Sequence, residues 1–218
     1  MSLTVSRKLH FTKIVSAFWL LPRMNQYGGW PASGEIDIME SRGNLNLIDS
    51  TGRNIGTKMS SGTLHWGTST NTNKYQLTHF EQLNLEGLNE NWHIYQMEWT
   101  QESIIFKIDN QTIGTVTPSQ GGFWELGNFE NSGIVNPWKS GSLMAPFDQE
   151  FYIVINLAVG GTSFFPDNAN NPGGKPWSNK SPRASGDFWE GKTQWLPTWK
   201  METNDQSLQV DYVRVWAL

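Results

Sequence analysis

An antiparallel β-sandwich is the fold class the sequence predicts, on three observations. Short runs rich in β-branched and aromatic residues recur along the 218 residues. Turn-forming residues, 21 Gly and 10 Pro among them, separate those runs. Sustained helical periodicity is missing, and the one helix predicted is short, around Phe123–Glu130. Together these favour packed antiparallel sheets in a single domain over 1–218.

The strands follow in order. Lys13–Leu21 is apolar and stops at Pro22, and Gly34–Ser41 comes after the turn-rich Asn25–Ser33. Trp92–Trp99 alternates, with Ile94, Gln96 and Glu98 opposing Tyr95, Met97 and Trp99. Ser103–Ile108, the pair Asp109-Asn110 and Thr112–Val116 form a hairpin signal. Glu150–Val159 is a long β-branched and aromatic run, and Leu208–Trp216 alternates to near the C-terminus. Between them, Phe164–Ser185 is a long loop-like stretch of Pro, Asn and Gly, a length that usually serves function.

Composition excludes several roles. The net charge of −4, with no clustered Lys or Arg, gives nucleic acid nothing to hold. Apolar runs fall short of the ~20 residues of a membrane span. With no Cys there is neither disulfide nor thiolate metal site. Met1–Phe11 lacks the apolar core of a secretion signal, so either the protein stays in the cell or its natural start lies elsewhere. The excess is aromatic, with 12 Trp, 11 Phe and 5 Tyr. Several Trp sit in loop contexts (Gly29-Trp30-Pro31, Pro137-Trp138, Pro176-Trp177), where exposed indoles would suit the flat C–H faces of sugars.

One stretch carries chemistry. Gly34-Glu35-Ile36-Asp37-Ile38-Met39-Glu40 sets three carboxylates among aliphatic residues. Glu35 and Asp37 share a strand face, but a regular strand would bury Glu40 with Ile36 and Ile38. A one-residue β-bulge at Ile38-Met39 would turn Met39 inward and bring Glu40 beside the other two. Three acids on one face repel, so at least one keeps its proton near neutral pH. One ionised and one protonated carboxyl is the equipment of a glycosidase, and neighbours on one strand face suit the retaining geometry. A solvated acidic face and a cation site are the competing readings, although cation sites favour turn-borne Asp and Asn.

The segment from Trp30 to Asn44 closely resembles the active-site strand of glycoside hydrolase family 16, and specifically its laminarinases and the animal β-1,3-glucan recognition proteins. Phe18-Trp19-Leu20-Leu21-Pro22, Tyr27-Gly28-Gly29-Trp30, Asn156–Gly161 and Gln209–Trp216 extend the likeness from about residue 18 to the C-terminus. The resemblance implies a concanavalin-like jelly roll and endo-hydrolysis of β-1,3-glucan. Lichenase-type members have one residue fewer in this strand and no bulge.

By position, the resemblance makes Glu35 the nucleophile, Glu40 the general acid and then base, and Asp37 the partner that tunes Glu35. Trp30 would stack on a sugar, and His65 would stand on a neighbouring strand near the acid/base. Arg42 would contact substrate hydroxyls or, as favoured here, hold the acid cluster in place. Asn156 and Trp177 are further cleft candidates, while His10, His79 and His93 are expected to be structural. Asp211 matches a ligand of the calcium that some members bind, and no other cofactor is implied. The expected partner is an extracellular β-1,3-glucan met by a monomer.

The family carries several strands ahead of the Phe-Trp-Leu-Leu-Pro segment, whereas only Met1–Ala17 precede it here, so the sandwich is expected to lack strands there. Ser6–Ser16 does not have the look of the strand the family places before it. The rival reading of the whole chain is a glucan sensor that does not cut. Such relatives commonly replace the acids equivalent to Glu35 and Glu40, and this chain keeps both.

Overall fold

The computed structural model describes residues 2–8, 14–199 and 207–217. Two five-stranded antiparallel sheets face each other. One is ordered β10-β1-β6-β7-β8, from Gln209–Trp216 (β10), Ser2–Lys8 (β1), His93–Trp99 (β6), Ile104–Ile108 (β7) and Gln111–Val116 (β8). The other is ordered β5-β4-β3-β2-β9, from His79–Leu83 (β5), Met59–His65 (β4), Glu35–Arg42 (β3), Ile14–Pro22 (β2) and Phe151–Val159 (β9). The acid-bearing strand is thus the centre of its sheet, paired along both edges.

Alternation explains most of the packing. Ile14, Ser16, Phe18 and Leu20 of β2, Ile36 and Ile38 of β3 and Leu64 of β4 are all buried. Of these, Phe18, Leu20, Ile36, Ile38 and Leu64 meet Tyr95, Met97, Ile104 and Phe106 of the other sheet in one core. The predicted hairpin forms with Asp109 and Asn110 both at positive φ, the backbone a tight two-residue turn demands. Trp66 is fully buried, its indole N–H donating to Thr78 Oγ1 at 2.9 Å while Phe123, Phe129 and Trp138 pack round its rings.

Several expectations need correction. β1 pairs with β10 and β6, so part of a segment that did not resemble a strand is one. The strands β4 and β5 were not foreseen; β4 is rich in Ser, Thr and Gly and lacks the β-branched density of a strand signal. The helix after β8 spans Gly122–Leu126 (α1), shorter than predicted. Beyond the long loop, Ala184–Glu190 (α2) and Lys192–Trp195 (α3) are helical, against the prediction of one helix. Trp138 and Trp177 are 5% and 4% exposed, so two of the three loop indoles expected at the surface are core residues. His10 lies outside the described residues.

The sandwich is open at one end. The inward row of β9, Ile153, Ile155, Leu157 and Val159, stands opposite Leu20, Phe18, Ser16 and Ile14, yet each of the four is 37–48% exposed. Val213 and Val215 of β10, the edge of the facing sheet, are exposed as well.

Candidate active site

The register of β3 decides where its acids point. On β4, Asp37 pairs with Thr63 and Glu40 with Ser61, so Ile38 and Met39 together oppose Gly62. On β2, Met39 pairs with Phe18 and Asp37 with Trp19, leaving Ile38 as the extra residue. This is the bulge the alternation predicted. Ile38 and Met39 both point inward, 2% and 1% exposed, and Glu40 returns to the groove face. Gly34, at φ +84, turns the chain into β3 where a Cβ would stand 2.8 Å from the Phe147 ring, so a side chain is excluded there on both counts.

Two cross-strand rows make the groove floor. One runs Val154, Trp19, Asp37, Thr63, His79; the other runs Asn156, Ala17, Glu40, Ser61, Glu81. Beside Glu35, a cavity of about 600 Å³ is lined by Trp19, Arg23, Trp30 and Tyr152 among others. Tyr152 and Trp19 were not singled out in the sequence. Their alternation with the groove-facing residues of β9 and β2 was the signal that could have found them.

The acids differ in environment. Asp37 is 3% exposed and hydrogen-bonds Glu35. Burial, then the Glu35 charge and that hydrogen bond, raise the Asp37 carboxyl well above the usual carboxylate range. The proton of the pair therefore rests on Asp37 and is donated to Glu35. Trp30 adds a second donor, its Nε1–H reaching Glu35 Oε2 at 2.5 Å. Glu40 is pushed up to about 8, mainly by burial and then by the negative charge that Asp37 and Glu35 share, with His65 and Arg42 pulling the other way.

His65 pairs with Glu35 across the strands, and its Nε2 stands 3.2 Å from Asp37 Oδ2. The approach is oblique, leaving that buried oxygen without a well-formed hydrogen bond. Its ring lies between Trp30, at 5.7 Å between centroids, and Tyr75, at 5.1 Å. Glu35, Asp37 and His65 are the one group of three potential ligands among the described residues, their nearest atoms within 4.8 Å. The shared proton and the imidazole contact account for that closeness, and we assign no metal to it.

The remaining candidates divide. Trp30 is 43% exposed at the groove, as a stacking residue should be, but it also touches the acid pair. Asn156 Oδ1 accepts the Trp19 Nε1–H at 2.7 Å, so it orients an aromatic side chain of the groove floor. Arg42 donates through Nε to Phe164 O and through a terminal nitrogen to Ile55 O at 3.0 Å, with its guanidinium 4.1 Å from the Phe164 ring centroid. It ties two loops to β3 beside Glu40, and its hydrogen bonds go to those loops and not to the acids. Trp177 is buried edge-to-face against Phe165 and Phe188, its N–H on Gly161 O, so it offers no face to a sugar. Asp211 is exposed on β10, and among the described residues no other two His or acidic groups gather with it. His93 is structural, its Nδ1 2.7 Å from Asp109, whereas His79, expected to be structural too, faces the groove between Thr63 and Glu81.

The model of the family described as Glycosyl hydrolases family 16 matches residues 10–123. The chain belongs to glycosyl hydrolase family 16. Within the family, it is 44% identical over 211 residues to a Beta-1,3-glucan-binding protein of Penaeus monodon, covering 93% of this chain and 54% of that protein. A Glucan endo-1,3-beta-glucosidase of Cryptopygus antarcticus is 30% identical over 201 residues, 92% of this chain and 56% of that one. The laminarinase catalytic domain of Thermotoga maritima superposes with a TM-score of 0.53 at 26% identity, covering 73% of this chain and 53% of that domain. This family 16 chain thus spans about half the length of the curated relatives it matches. No helix among its described residues is long and apolar enough to cross a membrane.

Proposed function

We propose that this chain carries the active site of a retaining endo-β-1,3-glucan hydrolase that meets its polysaccharide outside the cell. The observation that carries the reading is the division of labour among three acids on one strand. Two donors converge on Glu35, while the neighbouring Glu40 holds its proton to about pH 8. In the first displacement a Glu35 oxygen bonds the anomeric carbon as the glycosidic C–O bond breaks, and Glu40 gives its proton to the departing oxygen. In the second, Glu40 takes a proton from water, whose oxygen displaces Glu35 from the same carbon. Two inversions return the β configuration. The chemistry uses carboxyls and water, with no cofactor. The acids lie along an open groove, which admits an internal stretch of polymer.

The relatives named glucan-binding proteins favour a second reading, in which the groove binds glucan as a recognition signal and does not cut it. Three acids kept on one face argue for hydrolysis, because their mutual repulsion costs stability that binding alone would not require. Incubation with laminarin separates the two. Hydrolysis predicts new reducing ends that first form as the β anomer, abolished by Glu35→Gln. Glu40→Ala should lose glucan turnover yet recover with an activated aryl glycoside and azide, since only acid assistance is missing. Tight binding with no product at any pH would overturn the hydrolase reading.

A further inference from the structure

The loop after β4 carries a residue whose placement bears on the proton arrangement of the acids. Trp66 O accepts the Lys74 N–H at 2.7 Å, closing residues 67–73 into a compact turn. A Cβ at Gly67 would fall 2.3 Å from Thr72 O, so the turn folds this tightly because residue 67 is glycine. Its last residue, Asn73, comes back over β4 to His65, with Nδ2 2.8 Å from His65 Nδ1.

The orientation of the Asn73 amide is set by the backbone. Its Oδ1 accepts the Tyr75 N–H at 3.2 Å, which leaves the NH₂ group to face the ring. A donor facing Nδ1 requires a lone pair there, so the ring hydrogen sits on Nε2, the atom 3.2 Å from Asp37 Oδ2. An N–H on that nitrogen sets its hydrogen near Oδ2, out of line for a hydrogen bond. Its positive end is close enough to disfavour an acid hydrogen there, which leaves the acid hydrogen of Asp37 on the side of Glu35. Three links are hydrogen bonds, Tyr75 N–H to Asn73, Asn73 to His65 and Asp37 to Glu35, and the fourth, His65 to Asp37, is an electrostatic contact at 3.2 Å.

We propose that Asn73 is a positioning residue that fixes the tautomer of His65 and thereby makes Glu35, and not Asp37, the anionic member of the acid pair. The catalytic consequence rests on the hydrolase reading; the tautomer does not. The groups that face His65 are Glu35, Asp37 and Glu40 on β3, Tyr75 on the turn and, beyond Tyr75, His79 on β5. Besides these, the neutral amide of Asn73 is the group that contacts Nδ1.

Asn73→Asp tests this with little disturbance, because a carboxylate is the same shape and still accepts the Tyr75 N–H. It offers only acceptors to Nδ1 and should draw a hydrogen there. Nitrogen-15 spectra of the histidine side chains should show His65 as the Nε2–H tautomer in the parent chain, with a hydrogen on Nδ1 in Asn73→Asp. An Nδ1–H parent, or a tautomer indifferent to residue 73, would overturn the proposal. In kinetics on laminarin, kcat should fall by about tenfold or more with KM little changed. The pH profile of kcat should change as well, since the acid hydrogen of the Asp37–Glu35 pair would lose the direction that the Nε2–H of His65 gives it. Asn73→Ala, which leaves Nδ1 to water, should cost less than Asn73→Asp. A moved tautomer with unchanged kcat and pH profile would refute the catalytic part. Absence of turnover in the parent would instead count against the hydrolase reading, and the spectra would still decide the tautomer.

Discussion

A Cβ at Gly62 would lie 2.8 Å from the ring of Phe106, which reaches it from the opposite sheet. Gly62 is also the residue that faces both Ile38 and Met39 across the bulge. The lack of a side chain on β4 therefore makes room for the core beneath the acid-bearing strand. Gly62→Ala should destabilise the fold by about 1–3 kcal/mol through overpacking, read from urea denaturation. Phe106→Leu in the same chain should recover part of that loss; if the double variant is the sum of two losses, the contact is not the cause.

Trp30 has two jobs that one substitution can separate. Trp30→Phe keeps an aromatic face against His65 but removes the N–H that reaches Glu35. A hydrogen bond to a charged group contributes about 1.5–3 kcal/mol, so kcat should fall roughly ten- to a hundredfold with KM nearly constant. Trp30→Ala, losing the face as well, should also raise KM. Equal kinetics for Trp30→Phe and the parent would limit Trp30 to stacking.

The protonation of Glu40 gives a pH prediction with a definite sign. In the folded chain burial, reinforced by the charge of the Asp37–Glu35 pair, holds its pKa at about 8, against an ordinary 4.5 when unfolded. The folded state thus retains a proton that the unfolded state has released, and the associated stability is fully present below pH 4.5. It is lost progressively as pH rises toward 8. Glu40→Gln removes the titration, so its melting temperature should gain on the parent between pH 5 and 8 and track it at pH 4. The same group sets the basic limb of kcat/KM near pH 8. A melting difference that is constant with pH would place the proton elsewhere.

Trp177 should behave as core and not as a sugar platform. It packs with Val15, Leu47, Ile55, Met59 and Phe165 in a second cluster under the long loop. Trp177→Ala should cost about 3–5 kcal/mol in urea denaturation, as large aromatic truncations do. Laminarin affinity of the fraction that remains folded should be unchanged. A selective loss of affinity with stability intact would restore it to the groove.

The legible parts of this chain were those where period and chemistry agree. The bulge followed from parity alone, because burying Glu40 and exposing Met39 would both be costly and one extra residue removes both penalties. Strands β2, β3, β6 to β10 stood out by alternation or by continuous apolar character. The strand β4 did not, since between Met59 and Leu64 its buried residues are Ser60, Ser61, Gly62 and Thr63. That run is without the β-branched density of a strand signal, and its small side chains suit the groove on one face and the Phe106 ring on the other. Trp138 and Trp177 misled because Pro neighbours mark a loop without telling which way its side chains face. Asn73 was invisible for a related reason. Its meaning depends on a turn that folds back eight residues to His65, and no periodicity encodes that return.

The bulge also sets how the acid-bearing strand tolerates changes in length. Counted in partners on β4, Glu40 stands two rungs from Asp37, opposite Ser61 and Thr63. A straight strand with one residue fewer would place the same acid on that same rung, so deleting Met39 shortens the path without changing the address. One residue more would also keep the acid in the groove, if the strand straightened, but two rungs farther along, a displacement of about 6.8 Å. The strand is therefore forgiving of a deletion between its acids and intolerant of an insertion. Divergence of this site by length should run in one direction, toward the shorter, unbulged form.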